Sequence, residues 1–252
     1  MGIVVLVGCG QQLGSDKPSI AVTPSNQRAT SDIVPQFFAD GSGSELNLDI
    51  QLFDRLEQDQ DPQPAIELSA NEHLYAVVGQ TRVRLIGELY PVPGYGAPSI
   101  LWQRYTATIP AAPEVAIEFA RADGSVVTST IDAPAAFVIS SPPPPDIRMG
   151  DQVTFAISPA PDSQSWARWD AWCDATPDQL IASSGYDVVE VAADGEATTQ
   201  LGVADYGYAT DCAAQLQVMV YAYGHYDPAF ATTYVAPLAR QQAQVGVHLW
   251  GI

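Results

Sequence analysis

Apolar and polar residues alternate along short stretches of this chain, most clearly at residues 45–52. Leu46, Leu48, Ile50 and Leu52 occupy every second position there. A period of two places one face of a strand on a core. Similar stretches predict further strands at 66–69, 74–78, 81–90, 100–108, 114–120, 126–131, 137–139, 152–157, 166–172, 187–191, 197–201, 214–223, 231–235 and 242–249.

These short strands predict an all-β fold, since no later window shows an apolar stripe of period 3.6 with capping residues at both ends. Asp123-Gly124 indicates a hairpin. We interpret the four prolines at 142–145 as a rigid crossing loop rather than a domain linker. The pattern fits two immunoglobulin-like β-sandwich domains, at 44–133 and 134–252, with one larger sandwich as the alternative.

The chain before the first predicted domain has a different composition. Residues 10–43 are rich in Gln, Ser, Pro, Asp and Gly, and their apolar residues are sparse. This composition predicts a flexible tether. Only the apolar patch at 33–38 is expected to dock on the folded part.

The first nine residues suggest where the protein is located. Leu6-Val7-Gly8-Cys9 follows an apolar run and has the form of a bacterial lipobox. It predicts that 1–9 is a lipoprotein signal remnant and that Cys9 carries lipid. Gly10, in place of Asp, favours outer-membrane sorting. A plain buried N-terminal strand is the alternative.

The net charge of −19, with Lys17 as the single lysine, restricts the partners of this protein. Such a surface repels nucleic-acid phosphates and anionic headgroups. We therefore expect no nucleic-acid partner. The expected partners are the membrane, reached through the lipid anchor, and a protein or a polysaccharide.

The other two cysteines, Cys173 and Cys212, are predicted to form a disulfide, because exported proteins fold in an oxidising compartment. Two reduced buried thiols are the alternative. The chain has no CxxC motif, and its three histidines lack paired ligand spacing. We predict no metal site and no cofactor.

No sequence motif identifies an enzyme. The chain lacks G-x-S-x-G, S-x-x-K with a usable lysine, and H-E-x-x-H. A glycosidase needs only two carboxylates, which sequence spacing does not reveal. The acidic stretch 57–61 is interpreted as a solvated loop, with calcium binding as the alternative. His225 is interpreted as a surface residue, with general base or metal ligand as the alternative.

The aromatic residues of the second half are the candidate ligand-binding group. They are Trp166, Trp169, Trp172, Tyr221 and Tyr223. Exposed rings stack on sugars and anchor protein contacts. The competing interpretation is ordinary core packing beside a disulfide.

A resemblance follows from the lipobox, the polar tether, the run Ala133–Ile139, the proline-rich crossing and the late cysteine pair. This arrangement resembles uncharacterised bacterial lipoproteins with tandem immunoglobulin-like domains, and it implies fold and surface location only. We therefore expect a non-enzymatic lipoprotein of the cell envelope with a binding or structural role. The alternatives are a carbohydrate-binding module and a glycoside hydrolase-type enzyme.

Overall fold

The computed structural model describes residues 22–58, 63–92, 100–148, 150–176, 179–183, 189–200, 211–231 and 235–250. Their regular structure is almost entirely β-strand, which confirms the all-β prediction. The helices among these residues are three 3-10 turns at Ser25–Gln27, Thr30–Asp32 and Arg55–Glu57. No helix in this part of the chain is long and apolar enough to span a bilayer.

The strands follow in chain order. Those of the first half are β1 (Val22–Pro24), β2 (Ile33–Ser42), β3 (Glu45–Asp54), β4 (Ala65–Glu67), β5 (His73–Val78), β6 (Thr81–Arg84), β7 (Ile86–Val92), β8 (Ile100–Pro110), β9 (Glu114–Ala120) and β10 (Val126–Asp132). Those of the second half are β11 (Val138–Ser141), β12 (Asp146–Arg148), β13 (Gln152–Ser158), β14 (Ser165–Thr176), β15 (Gln179–Ser183), β16 (Val189–Glu190), β17 (Glu196–Gln200), β18 (Asp211–Tyr223) and β19 (Leu238–Trp250).

One large sheet runs through both halves of the chain. Its main path is β1-β4-β3-β2-β19-β18-β14-β15, and β7, β8, β12 and β16 pair beside this path. Two smaller sheets accompany it, in the orders β10-β9-β5-β6 and β11-β13-β17. The inner face of the large sheet contributes to both cores, and its other face is called the outer face.

The described residues form two hydrophobic cores, and one small sheet contributes to each. The first core joins the four-stranded sheet to β2, β3 and β8, with Phe37, Leu48 and Phe119 fully buried. The second core joins the three-stranded sheet to β14, β18 and β19, with Phe155 and Trp169 fully buried. Apolar side chains at alternating positions of the strands form both cores.

The predicted tether at 10–43 is wrong for residues 22–43, because these residues include two strands of the large sheet. β2 pairs along its whole length with β3, and Ile33, Phe37 and Ala39 are buried. Proline lacks a backbone N–H, so it is tolerated in a strand only where no neighbour needs that donor. On the side of β2 opposite β3, β19 joins only from Phe38 onward, and Pro35 therefore has no described strand beside it there. Residues 10–21 lie outside the described residues.

The predicted boundary at 133/134 does not separate the two cores. Phe230 and Ala239, from the second half of the sequence, belong to the first core. Phe230 stacks on Phe119 with ring centroids 6.1 Å apart. β19 also pairs with β2 as well as β18. The two halves therefore share a sheet and exchange core residues.

Most strand predictions are confirmed within a few residues, and so are two connections. The Asp123-Gly124 turn joins β9 to β10, and Gly124 has a φ of +87°. The prolines at 142–145 connect β11 to β12 within the second core. The strand predicted at 231–235 is absent at Ala231 and Val235, and 232–234 lie outside the described residues.

Cys173 and Cys212 are register partners on the adjacent strands β14 and β18. Cys212 is buried in the second core. Opposed residues of an antiparallel pair have Cα atoms about 4.5–5.5 Å apart, within the range that disulfides span. In immunoglobulin domains the cysteine pair bridges two sheets, whereas here both positions lie in one.

Candidate ligand-binding site

The three predicted tryptophans do not form one exposed platform. Trp169 is 1% exposed in the second core, so its ring cannot stack on a ligand. Trp166 points to the outer face, where it is half-buried opposite Met219. The side chain of Trp172 lies outside the described residues. Core packing, the competing interpretation, therefore applies to Trp169.

Tyr221 and Tyr223, on β18, both lie on the outer face. Tyr223 is 51% exposed, and Tyr221 is half-buried with its hydroxyl donating to the Met219 sulfur at 3.2 Å. His225 is exposed and pairs through its backbone with Thr130, as expected of a surface residue. Among the predicted aromatic residues whose side chains the structure describes, Tyr221, Tyr223 and the half-buried Trp166 lie on the outer face.

Register across the large sheet places polar and aromatic residues in two adjacent rows on the outer face. The first row is Tyr221, Arg240, Asp40, Asn47 and Thr108. The second row is Tyr223, Leu238, Phe38, Asp49, Thr106 and Ile86. The second row crosses six strands, which corresponds to about 24 Å at the usual spacing. We call these two rows the outer-face groove.

Ion pairs and hydrogen bonds fix the polar residues of the groove. Arg240 Nε donates to Asp40 Oδ1 at 2.6 Å. Arg104 lies 3.6 Å from Asp49 and 2.7 Å from Glu88. Thr108 donates to Asn47 Oδ1 at 2.7 Å. The groove therefore presents carboxylates and guanidinium groups in positions set by the sheet.

Asp40 and Asp49 form the closest carboxylate pair in the groove that register identifies. Phe38 is the register partner of Asp49, and Asp40 lies two residues further along β2. This diagonal separates their Cα atoms by about 7–8 Å. Burial raises the pKa of Asp49 although a hydrogen bond from Gln51 and the charge of Arg104 act to lower it, and the charges of Glu88 and Asp40 add to the rise.

Two depressions adjoin along this pair. One, of about 340 Å³, is lined by Phe38, Tyr221, Leu238 and Arg240 together with both aspartates. The other, of about 570 Å³, extends over Glu88, Arg104 and Thr106 and is lined by the same two aspartates. The surface is thus a long, shallow groove with an aromatic end and a charged end.

No motif in the sequence marks Asp40, Asp49, Arg104 or Arg240 as members of a site. Asp49 is one of the polar positions of the clearest predicted strand, so alternation already placed it on the outer face. Asp40 lies on β2, which was not predicted as a strand because the composition of 10–43 is typical of a tether. β2 pairs with β19, whose residues lie about 200 positions later in the chain, and no sequence pattern indicates this pairing.

The alternative calcium loop at 57–61 is mostly outside the described residues, although Glu57 ends a 3-10 turn and lies 3.7 Å from Arg28. Within the described residues no group of three His, Cys, Asp or Glu side chains is arranged to hold a metal ion.

Comparison with known proteins identifies no family for this chain. No family model and no curated protein match it. Among solved structures, the Fcho1 Mu homology domain of Danio rerio with bound Eps15 peptide is similar at 10% identity, covering 90% of this chain and 99% of that one. Its TM-score is 0.25, too low for an inference about fold or function.

Proposed function

We propose that this protein is a non-enzymatic, lipid-anchored binding protein of the bacterial cell envelope, and that its outer-face groove binds a polysaccharide chain. The observation that carries the proposal is the pair of residue rows across the large sheet. They combine Tyr221 and Tyr223 with Asp40, Asp49 and Arg240 on one extended surface.

The chemistry of sugars fits this combination. A pyranose ring has an apolar face of C–H groups and a rim of hydroxyls that both donate and accept hydrogen bonds. Tyrosine rings cover the apolar face. Carboxylates accept from the hydroxyls, and guanidinium groups donate to them. A groove that crosses six strands suits an extended chain better than a compact small molecule.

Glycoside hydrolysis is a second candidate function, because Asp49 has a raised pKa and Asp40 is its diagonal neighbour. A raised pKa suits a general acid. The ion pair between Asp40 and Arg240 favours binding instead, since it occupies one carboxylate oxygen of Asp40. The shallowness of the site also leaves the pair accessible to water.

The anchor and the disulfide are parts of the same proposal. The lipobox sequence supports acylation of Cys9. The register of Cys173 with Cys212 and the burial of Cys212 support the disulfide. The intact mass of membrane-extracted protein, measured before and after reduction and alkylation, tests both. A chain that retains Met1 and has three free thiols would contradict them.

Binding is tested by calorimetry on a panel of bacterial envelope polysaccharides with wild-type protein and Tyr221→Ala, Tyr223→Ala and Asp49→Asn variants. We expect at least one polysaccharide to bind, and each substitution to weaken that binding by about tenfold. The matched control is Trp250→Ala. Trp250 is 44% exposed on the same strand as Arg240, at its far end, so its loss should leave affinity unchanged.

Assays for released reducing ends are run on the same mixtures. Binding without cleavage supports the proposal, and cleavage abolished by Asp49→Asn would establish the hydrolase alternative. The polysaccharide proposal fails if no polysaccharide binds, or if the groove variants bind as well as wild type. Co-purification of a protein lost on Tyr223→Ala would then indicate a protein partner.

A further inference from the structure

The charges of the outer-face groove do not balance. The charged residues that line its two depressions, within the described part of the chain, are Asp40, Asp49, Glu88, Arg104 and Arg240. Three carboxylates thus stand against two guanidinium groups. The groove has a negative charge in excess, in a chain whose net charge is −19.

The geometry of the ion pairs assigns this excess charge to Asp49. Arg240 Nε donates to Asp40 Oδ1 at 2.6 Å. Arg104 directs both Nε and Nη2 to Glu88 Oε1 at 2.7 Å, and its Nη1 lies 3.6 Å from Asp49 Oδ2. Charge-assisted hydrogen bonds between nitrogen and oxygen measure about 2.7–2.9 Å. Each guanidinium group is therefore in close contact with a carboxylate other than Asp49.

Asp49 has unused capacity to accept hydrogen bonds. Its remaining contact with a described residue is a long hydrogen bond of 3.5 Å from Gln51 Nε2 to Oδ1. The side chain is 35% exposed, so a ligand can reach it. Burial raises the pKa of Asp49, as expected of a carboxylate that has lost water without gaining a close cation. A cationic group on a ligand would supply the missing partner.

The surroundings of Asp49 favour an ammonium group over a metal ion. A divalent metal ion requires several oxygen ligands, and the residues that the structure describes contain no group of three acidic, histidine or cysteine side chains arranged to hold one. An ammonium group needs fewer partners, because it donates three hydrogen bonds. Thr106 is the register partner of Asp49 on β8 and lines the same depression, so its hydroxyl is available as a further acceptor.

The length of the groove indicates what carries the ammonium group. Tyr223 and Asp49 lie in one row and are three strands apart, which corresponds to about 14 Å. A single sugar ring cannot contact both, whereas a chain of sugars can. Acidic sugars would meet the excess negative charge of the groove and be repelled.

We infer that the polysaccharide bound in the outer-face groove contains amino sugars with free amino groups, one of which pairs with Asp49. This inference rests on the proposed polysaccharide function and makes Asp49 the residue that selects among sugar chains. The tyrosines bind ring faces and do not distinguish an amine from a hydroxyl.

The test is calorimetry with hexasaccharides of glucosamine, N-acetylglucosamine and glucose, each in β-1,4 and β-1,6 linkage. Acetylation removes the positive charge but keeps the ring and the linkage. We expect at least one glucosamine hexamer to bind about tenfold more tightly than the N-acetylglucosamine and glucose hexamers of the same linkage. The glucosamine monomer should bind more weakly than the hexamer, since it cannot reach both ends of the groove.

An Asp49→Asn variant then locates the selectivity. It should bind the glucosamine hexamer about tenfold more weakly and the two uncharged hexamers as wild type does. Retained binding of the uncharged hexamers shows that the variant is folded. The matched control is Glu45→Gln: Glu45 is exposed on the same face of β3 but does not line either depression, so its loss should leave all affinities unchanged. Tyr223→Ala should weaken all hexamers alike.

The outcomes separate this inference from the proposed function. If the uncharged hexamers bind as tightly as the glucosamine hexamer, or if Asp49→Asn keeps the preference for the amine, the inference is overturned and the polysaccharide function stands. If no hexasaccharide binds, both fail. A lysine hexapeptide that binds as tightly as the glucosamine hexamer, with no effect of Tyr223→Ala, would show that charge alone is recognised and would overturn the assignment to sugars.

Discussion

At the scale of single residues, Gly224 holds two backbones in contact. It directly follows β18, where its N–H donates to the Pro237 carbonyl oxygen at 2.9 Å. A Cβ at this position would overlap the Thr130 carbonyl oxygen and lie 2.7 Å from Ile131 Cα. The next residue, His225, exchanges two backbone hydrogen bonds with Thr130. Only glycine permits this approach.

Gly224→Ala should therefore lower the free energy of unfolding by about 3 kcal/mol, because backbone atoms cannot move aside as side chains do. Urea denaturation measures the change. Gly246→Ala is the matched control: Gly246 lies in β19, and the nearest atom to its added Cβ is 4.0 Å away. It should change stability by less than about 0.5 kcal/mol. Equal effects of both substitutions would contradict this account.

At the scale of elements, a buried ionic network fastens residues 22–32 to the first core. Arg28 binds the buried carboxylate of Asp54 at 2.7–2.8 Å. Arg121 pairs with Glu72 and donates to the backbone carbonyl oxygens of Ser25 and Arg28. β1 adds parallel pairing with β4. The segment ahead of β2 is thus held by charge and backbone pairing rather than by an apolar face.

Asp54 makes this attachment sensitive to pH. Burial acts to raise its pKa, but hydrogen bonds from Arg28, Thr23 and the Leu56 N–H outweigh burial and leave the pKa below its ordinary value. A lowered carboxyl pKa stabilises the fold above the unfolded-state pKa, and the contribution is lost as pH falls through the folded-state pKa. Asp54→Asn should therefore be less stable than wild type at pH 7, with a smaller difference at pH 3.

Urea denaturation at pH 7, 5 and 3 measures this dependence. Asp151→Asn provides the control for the loss of one carboxylate, because Asp151 is exposed and lies outside the ionic network. If the difference between Asp54→Asn and wild type is the same at pH 7 and pH 3, the linkage to Asp54 ionisation is wrong.

At the scale of the whole molecule, the first core depends on residues from the second half of the chain. Phe37 of the first core contacts Tyr226 and Phe230 from the second half of the chain, with ring centroids 5.0 and 6.3 Å away. The Phe37 N–H donates to the Tyr226 hydroxyl at 3.1 Å, and burial raises the pKa of that hydroxyl to about 12. Removing the second half of the chain would expose the buried ring of Phe37.

A fragment of residues 22–133 should therefore fail to fold. Loss of a single buried phenylalanine costs about 3–5 kcal/mol, a large part of the 5–15 kcal/mol that stabilises a domain. This fragment also loses the pairing of β2 with β19. The measurement is amide dispersion by NMR together with urea unfolding, with 22–252 as control. A dispersed spectrum and a cooperative transition would instead support two independent domains.

Much of this architecture was predictable because strand positions follow local alternation. β3, β9 and β13 were predicted almost to the residue, since each places apolar side chains at every second position. β2 was missed because Pro35 and the polar surroundings of this strand resemble a linker, although its main partner, β3, follows directly in the chain. In the candidate groove, the tyrosines were identified from sequence, whereas the charged residues were not.

The all-β class, the two faces of most strands and the turn at Asp123-Gly124 follow from residues close together in the chain, and the acidic character follows from composition. The folded structure was needed to show that one sheet joins both halves, that Phe230 completes the first core, and that Asp40, Asp49 and Arg240 share a groove with Tyr221. Those relations depend on which strands become neighbours. Pairing between distant strands is set by the sum of many contacts across the sheet, and no local pattern encodes it.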